Sequence, residues 1–411
     1  MRKMKLVSLL LAGCMVFTAC SKSDDSDKKQ AADANVGENN DGSDIATEGM
    51  VWFPKSAKAV SEDGTVLASI ETEYDDGKLV YKYVMNYPDY NMERYYGFEI
   101  EYDKDSITKY YELRGNRNSE KDTVTKTEMV IEYTEGDDVL YVNDMSSEYD
   151  RISVSREHRY TFDSDGKVIE RNVAYVEYSY DEDGQLTDSR GDDDVNTYKY
   201  EYVTDGYYVI YDYEPWDMLL ATGEEVECTK RETTFIPYDK TKGHTKVITY
   251  HLANGDVATL AEDEWYDVYC DNSQKTEAIY NNKGYLIEIN SYLADGSKVT
   301  QDLPWKCEYN DANNVKNYIG YDEDGNVTSK GDFTYDKNGN ITAVEIEYEG
   351  EKVSVEIEWM QVPECIDTVN QLIYGHDKYA ISELIEEVIP ETDVIDLQDT
   401  YYTRDMLEEL K

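Results

Sequence analysis

The sequence has few of the residues that most catalytic and metal sites need. Its 411 residues include four histidines and six cysteines, and no His-Glu-x-x-His or Cys-x-x-Cys motif occurs. A phosphate-binding P-loop and a dinucleotide-binding glycine fingerprint are also absent. His244 and His251 flank a predicted strand at 246–250 and are expected to face solvent. The sequence therefore does not support an enzyme and predicts no cofactor, no metal site and no catalytic residue.

Basic residues are also scarce. The chain has 40 Lys and Arg against 89 Asp and Glu, which gives a formal net charge of −49. Nucleic-acid binding depends on clustered basic side chains that displace counterions, so a nucleic-acid partner is excluded. Such acidity is typical of a highly soluble protein. Attraction for divalent cations or for a basic partner is the alternative.

Long apolar runs are missing except at the start of the chain. Residues 6–17 are apolar and follow Arg2, Lys3 and Lys5. This run is shorter than the roughly 20 residues that span a bilayer. Its length and its basic flank are typical of a secretory signal, so residues 1–19 are predicted to be a signal peptide.

Small residues precede a cysteine in Phe17-Thr18-Ala19-Cys20, which resembles the lipobox of bacterial lipoproteins. The resemblance implies lipidation of Cys20 and an anchor in a membrane of the cell envelope, outside the cytoplasmic membrane. Cys14 fits the lipobox letters better but leaves only about five apolar residues before it. An ordinary cleaved signal is the other alternative.

Residues 20–49 contain almost no apolar side chains, which predicts a disordered acidic tether. Ser21-Lys22-Ser23-Asp24-Asp25 resembles the signal that sends some Bacteroidota lipoproteins to the cell surface. In a Gram-positive host the same residues would be a spacer.

Beyond the signal, Cys228, Cys270, Cys307 and Cys365 allow one or two disulfides or free thiols.

Tyrosine is abundant, with 40 residues against six Phe. Tyrosines and aliphatic residues alternate with charged residues in several segments, and alternation of period two is typical of half-buried antiparallel strands. The segments are 98–102, 176–180, 198–202, 344–348 and 353–359. The predicted fold class is therefore mainly β, an elongated antiparallel sheet of repeated hairpins.

A short turn motif separates these strands. It reads Tyr321-Asp322-x-Asp324-Gly325-x-Val327 and returns as Tyr335-Asp336-x-Asn338-Gly339-x-Ile341, with further copies around Gly77, Gly166, Gly184 and Gly284. The first Asp or Asn can accept a hydrogen bond from a backbone N–H two residues on, and Gly takes a positive φ at low cost. Each copy therefore predicts one hairpin corner.

This motif resembles the YD repeats of the RHS family, Tyr-x-Tyr-Asp-x-x-Gly-x-Leu, over residues 60–350 and most closely over 280–345. The resemblance implies a long, winding antiparallel sheet. The copies here are irregular, and the Arg that often follows Gly in the family is missing. Their number is too small for a large toxin-enclosing shell.

The repeats contain residues of two kinds of binding site. A calcium loop needs oxygen ligands at set positions before and after the Gly, and every copy lacks at least one strong ligand. In the copy at Gly184, Arg190 stands where the loop needs a carboxylate.

Tyrosines at 198–213 with Trp216, and the aromatic cluster at 265–269, could stack on sugars or anchor a protein. The favoured interpretation is that these rings form the core.

The predicted domains are a signal peptide (1–19), a tether (20–49), a repeat array (50–362, with two halves near 215 as an alternative) and a small helical or mixed C-terminal cap (363–411). The cap is expected to cover a sheet edge. The predicted function is a lipid-anchored envelope protein that binds or scaffolds a glycan or protein. The alternatives are a carbohydrate-active enzyme with unidentified carboxylates and a calcium-dependent adhesin.

Overall fold

The computed structural model describes residues 49–366, 369, 381–392, 404 and 407, with gaps at 76, 88–91, 105, 119–121, 135, 147–149, 192–194, 205, 220–223, 240–242, 259–272, 294 and 323. The predicted signal peptide, Cys20 and the tether up to residue 48 lie outside these residues.

Within these limits the chain forms one sheet of 24 antiparallel strands, which confirms the predicted fold class. The first twelve strands are β1 (Met50–Ser61), β2 (Val66–Asp75), β3 (Lys78–Tyr87), β4 (Met92–Asp103), β5 (Ser106–Asn118), β6 (Asp122–Thr134), β7 (Val139–Ser146), β8 (Arg151–Phe162), β9 (Val168–Tyr180), β10 (Leu186–Gly191), β11 (Asn196–Thr204) and β12 (Tyr207–Asp212).

The second half continues the same pattern. Its strands are β13 (Trp216–Leu219), β14 (Glu225–Asp239), β15 (Gly243–Leu252), β16 (Val257–Ala258), β17 (Ser273–Tyr280), β18 (Leu286–Leu293), β19 (Lys298–Gln301), β20 (Trp305–Tyr309), β21 (Val315–Tyr321), β22 (Val327–Tyr335), β23 (Ile341–Tyr348) and β24 (Glu351–Pro363). Helix α1 (Ile381–Ile385) and a 3₁₀ turn (Glu386–Val388) follow.

The ladders join strands in chain order and also join the two ends of the array. β1 pairs with β2 on one side and with β24 on the other. β19 pairs with β18, and β20 pairs with β21, with only residues 302–304 between β19 and β20. The ladders therefore form one continuous path from β20 through β24 and β1 to β19, and among the described residues no ladder joins β19 to β20.

The sheet runs through residue 215 without a division. β12 and β13 are consecutive segments that both pair with β14, first along Arg231–Phe235 and then along Glu225–Cys228. β10 and β11 share β9 in the same way.

The hairpin corners have the geometry expected from the repeated motif. At the corner before β9, Asp163 Oδ1 accepts hydrogen bonds from the N–H groups of Asp165 (2.8 Å) and Lys167 (2.9 Å), and Gly166 has φ +77°. The side-chain oxygen of the first Asp or Asn makes the same two contacts at four other corners, where it accepts from the backbone N–H groups two and four residues later. These residues are Asp181, Asn281, Asn310 and Asp336. The first Asp or Asn therefore fixes the corner, and Gly or Asn supplies the left-handed residue.

Several Tyr and Trp side chains donate a hydrogen bond to a backbone carbonyl on another strand, and in each case the carbonyl belongs to a residue just after a hairpin corner. Tyr335 Oη donates to the carbonyl of Val315 (2.8 Å), Tyr202 Oη donates to that of Val168 (3.0 Å), and Trp359 Nε1 donates to that of Ile341 (2.7 Å). Phenylalanine could not make these bonds. They give a physical reason for the excess of Tyr over Phe.

Replacing one of these hydroxyls should therefore lower stability measurably. Tyr335→Phe is expected to reduce the free energy of unfolding by about 1 kcal/mol, since it leaves the Val315 carbonyl without this donor. Urea denaturation measures the change. Tyr74→Phe is the control, because the Tyr74 side chain is 41% exposed, and a loss as large in Tyr74→Phe would contradict the assignment.

One face of the sheet carries the main core and is called the core face here; the opposite one is the outer face. Directly opposed residues share a face, as Ile70 and Tyr83 do on β2 and β3, and Tyr83 and Tyr96 on β3 and β4. The large buried side chains of this face include Leu79, Phe98, Ile100, Tyr110 and Leu140.

The C-terminal segment packs on the core face. Leu384, Ile385 and Val388 are buried in the same cluster as the strand residues, and so is Leu407. Tyr96 Oη donates a hydrogen bond to the Glu383 carboxylate, which ties α1 to β4. Thr392 forms an antiparallel bridge with Tyr285, the residue before β18. The described residues of the predicted cap therefore pack mainly on a face of the sheet, whereas the sequence predicted an edge.

Candidate functional site

The repeat corners use their carboxylates within the loop. The same oxygen of Asp163 accepts two backbone N–H groups, so it is directed at its own chain. In the described ranges, no group of three or more His, Cys, Asp or Glu side chains is placed to hold a metal ion. The described corners therefore show no cluster of carboxylates arranged as a calcium site.

Cys228 and Cys307 are free thiols in the structure. Cys228 is buried and Cys307 is half-buried. Burial raises the pKa of the Cys307 thiol to about 11, which keeps it protonated and poorly nucleophilic at neutral pH. Cys365 packs against the main core, and Cys270 lies outside the described residues.

The tyrosines at 198–213 divide between the two faces. Tyr198, Tyr200 and Tyr202 lie on the core face, where Tyr200 and Tyr208 are buried. This agrees with the favoured core interpretation. The cluster at 265–269 lies outside the described residues.

Tyr211 and Tyr213, by contrast, lie on the outer face, at the end of β12 and just after it. Their ring centroids are 6.5 Å apart, and Tyr213 is 39% exposed. The pair is called the tyrosine platform here. Sequence alternation separates Tyr211 from Tyr208, but it does not show which of the two faces is covered.

Charged side chains of both signs surround the tyrosine platform. Lys230 Nζ lies 4.8 Å from the Tyr211 ring centroid, and Lys199 Nζ lies 5.2 Å from that of Tyr213. Tyr211 Oη donates to Glu201 Oε2 at 3.1 Å. Partial burial and the nearby Glu201 carboxylate raise the pKa of Tyr211 to about 12, so its phenol stays neutral at physiological pH. The platform thus offers ring surface next to donors and acceptors.

A row of polar side chains crosses the core face over five strands. Arg171 on β9 lies opposite Tyr198, which lies opposite Asp212, and Arg231 and Tyr250 continue the row. The Arg171 guanidinium carbon is 4.6 Å from the Tyr198 ring centroid. Arg231 Nη2 donates to Asp212 Oδ2 at 3.0 Å. A paired guanidinium and carboxylate therefore lie beside the core.

The described histidines differ in their surroundings. His244 is buried, and its ring stacks on Tyr280 with centroids 4.9 Å apart, so the prediction that it faces solvent is wrong. His251 is half-buried and contacts Glu232, with 3.1 Å between Nε2 and Oε2. The reason for the error is register: His244 lies opposite Tyr280 on a covered part of the sheet.

Comparison with known proteins identifies no family. No family model matches the chain, and no curated protein matches it significantly. Among solved structures, a porin-like protein from Bacteroides uniformis ATCC 8492 matches with 11% identity and a TM-score of 0.25, covering 75% of this chain and 96% of that one. A porin-like protein from Bacteroides vulgatus ATCC 8482 matches with 12% identity and a TM-score of 0.16, covering 75% and 98%. Scores this low carry no functional conclusion. In the described ranges, no helix is long and apolar enough to cross a membrane.

Proposed function

We propose that this protein is a lipid-anchored, non-enzymatic protein of the cell envelope that binds a glycan through the tyrosine platform. The observation that supports this proposal is the exposed Tyr213 ring beside Tyr211, with Lys199, Lys230 and Glu201 around them. The leader and the cysteine that ends it supply the argument for the anchor.

The chemistry of the platform suits a sugar. Aromatic rings stack on the apolar face of a pyranose, and hydroxyl groups need both donors and acceptors nearby. The neutral phenol of Tyr211 and the ammonium groups supply donors, while Glu201 supplies an acceptor. The strongly acidic chain would disfavour polyanionic polymers at this outer face, so a neutral or basic glycan fits best.

Removing the rings should weaken glycan binding. Tyr213→Ala combined with Tyr211→Ala is expected to lower affinity for fluorescently labelled envelope polysaccharide about tenfold or more, because each lost ring removes more than about 1 kcal/mol of contact energy. The assay is fluorescence anisotropy with the purified full chain.

The control is Tyr74→Ala, which removes a ring of equal size and 41% exposure from β2. Equal losses in the control and the double variant would contradict a specific platform. Absence of any saturable polysaccharide binding would overturn the glycan proposal, and a protein captured through the same rings would replace it.

The anchor has its own test. Cys20→Ala is expected to move the protein from the membrane fraction to the soluble fraction, because the acylated residue is gone. Cys14→Ala is the matched control and should leave the protein on the membrane. The reverse result would assign the lipid to Cys14, and no release by either variant would contradict lipid anchoring.

A further inference from the structure

Three nitrogen-bearing side chains meet on the core face where β8 and β9 pair. Arg156 and His158 lie two residues apart on β8, opposite Val142 and Leu140 of the core. Arg171 on β9 lies opposite Tyr160, diagonally next to His158. Arg156, His158 and Arg171 are called the cationic niche here. Two of its three side chains are guanidiniums, in a chain whose net charge is −49.

Neighbouring groups hold these side chains in place. Arg156 Nη2 donates to Asp144 Oδ1 at 2.9 Å, and the Arg171 guanidinium carbon lies 4.6 Å from the Tyr198 ring centroid. The His158 ring is nearly parallel to the ring of Tyr160, at 13°, with centroids 6.5 Å apart. The three groups are therefore fixed before any ligand arrives, which lowers the entropy cost of binding.

Two nitrogens of the niche lack a partner. Arg156 Nε and His158 Nδ1 are fully buried, and neither has a hydrogen-bond partner in the part of the chain that the structure describes. Buried polar atoms in folded proteins are nearly always hydrogen-bonded, and leaving one unsatisfied is costly. Arg156 Nε can only donate, so its missing partner is an acceptor, and His158 Nδ1 can donate to the same acceptor in the tautomer that carries its proton there. The guanidiniums of Arg156 and Arg171, whose charges both act on His158, favour an acceptor with negative charge.

The niche can be reached from solvent. The Arg156 side chain is 31% exposed even though its Nε is buried. Tyr175, the residue opposite Arg156 on β9, is 36% exposed. A small ion can therefore reach the two buried nitrogens if the exposed Tyr175 side chain moves aside, without opening the sheet.

We infer that the cationic niche binds a small oxyanion, with Arg156 and Arg171 supplying charge and both Arg156 and His158 supplying hydrogen bonds. Phosphate, sulfate and carboxylate groups share this chemistry. The site lies on the face of the sheet opposite to the tyrosine platform, so it is independent of the proposed glycan binding.

The test follows the His158 imidazole by NMR in the full chain, with the signal assigned by its loss in His158→Gln. Sodium phosphate is titrated at constant ionic strength against sodium chloride. Wild type is expected to show a saturable shift. Arg156→Gln should weaken phosphate binding about tenfold or more, because a charge-assisted hydrogen bond is lost. Sulfate and acetate titrations then separate tetrahedral from carboxylate preference.

Arg114→Gln is the matched control, since Arg114 lies on the same sheet face but is 72% exposed and already paired with Glu112. It should bind phosphate as wild type does. Arg156→Lys is the second variant, for use if Arg156→Gln folds poorly. It keeps the positive charge but lacks the Nε donor, so its affinity for phosphate is expected to lie between those of wild type and Arg156→Gln. A shift that follows ionic strength alone, or equal affinities in wild type and both Arg156 variants, would overturn the inference.

Discussion

Lowering the pH from 6.5 to 4.5 is expected to decrease the free energy of unfolding in the wild-type protein and in the His158→Gln variant. The decrease should be about 2 kcal/mol larger in the wild-type protein. Burial, with the charges of Arg171 and Arg156, lowers the pKa of His158 from 6.5 to about 3. Between these two values the unfolded chain binds a proton that the folded chain does not. Stability is therefore lost as pH falls, at a rate that approaches about 1.4 kcal/mol per pH unit.

The comparison with His158→Gln isolates this effect. Protonation of the many carboxylates at low pH also changes stability, but that contribution is common to both proteins. Urea unfolding is measured at half-unit pH steps in buffers that contain no carboxylate, sulfonate or phosphate, because such anions could bind beside His158. If the plots of unfolding free energy against pH stay parallel for the two proteins down to pH 4.5, the assignment of His158 as buried and neutral is contradicted.

A second large effect is expected where the C-terminal segment meets the sheet. A Cβ at Gly331 on β22 would lie 2.8 Å from Val388 Cβ and 3.2 Å from Phe333 Cε2. Val388 is fully buried, so it cannot move without losing its packing. Gly331→Val is expected to lower the free energy of unfolding by about 3 kcal/mol, the upper part of the range for overpacked cores.

Gly191→Val provides the control for this substitution. Gly191 is also in a strand, and a Cβ there meets its nearest atoms, Tyr175 O and Val176 Cγ2, at 3.6 Å, an ordinary contact. Valine has the higher strand propensity, so this variant should be neutral or slightly more stable. Limited proteolysis should cut Gly331→Val sooner within 381–411. Equal stability of the two variants would contradict docking of Val388 on Gly331.

Local features of the fold could be predicted from the sequence because they depend on neighbouring residues. Alternation placed strands at 198–202 and 344–348, and both segments lie in strands. The Asp and Gly letters of the corner at Asp336 and Gly339 predicted the turn, since the hydrogen bonds join residues two and four apart.

Features that depend on distant pairing could not be predicted. Tyr211 is half-buried whereas Tyr208 is buried, and this difference depends on which face the C-terminal segment and the other core residues cover. His158 is surrounded in sequence by ordinary charged residues, and its special environment comes first from burial and then from Arg171 on the next strand. The tyrosine platform and the cationic niche therefore both required the sheet register.

The ladder between β1 and β24 also constrains when the protein can finish folding. Met50 lies opposite Pro363, so about 300 residues separate the first strand from its second partner. Contacts so distant in sequence form late, because loop closure must precede them. Until β24 is in place, one edge of β1 has exposed N–H and C=O groups that can pair with another chain. The period of greatest aggregation risk thus lasts from synthesis of the first strand to arrival of the last.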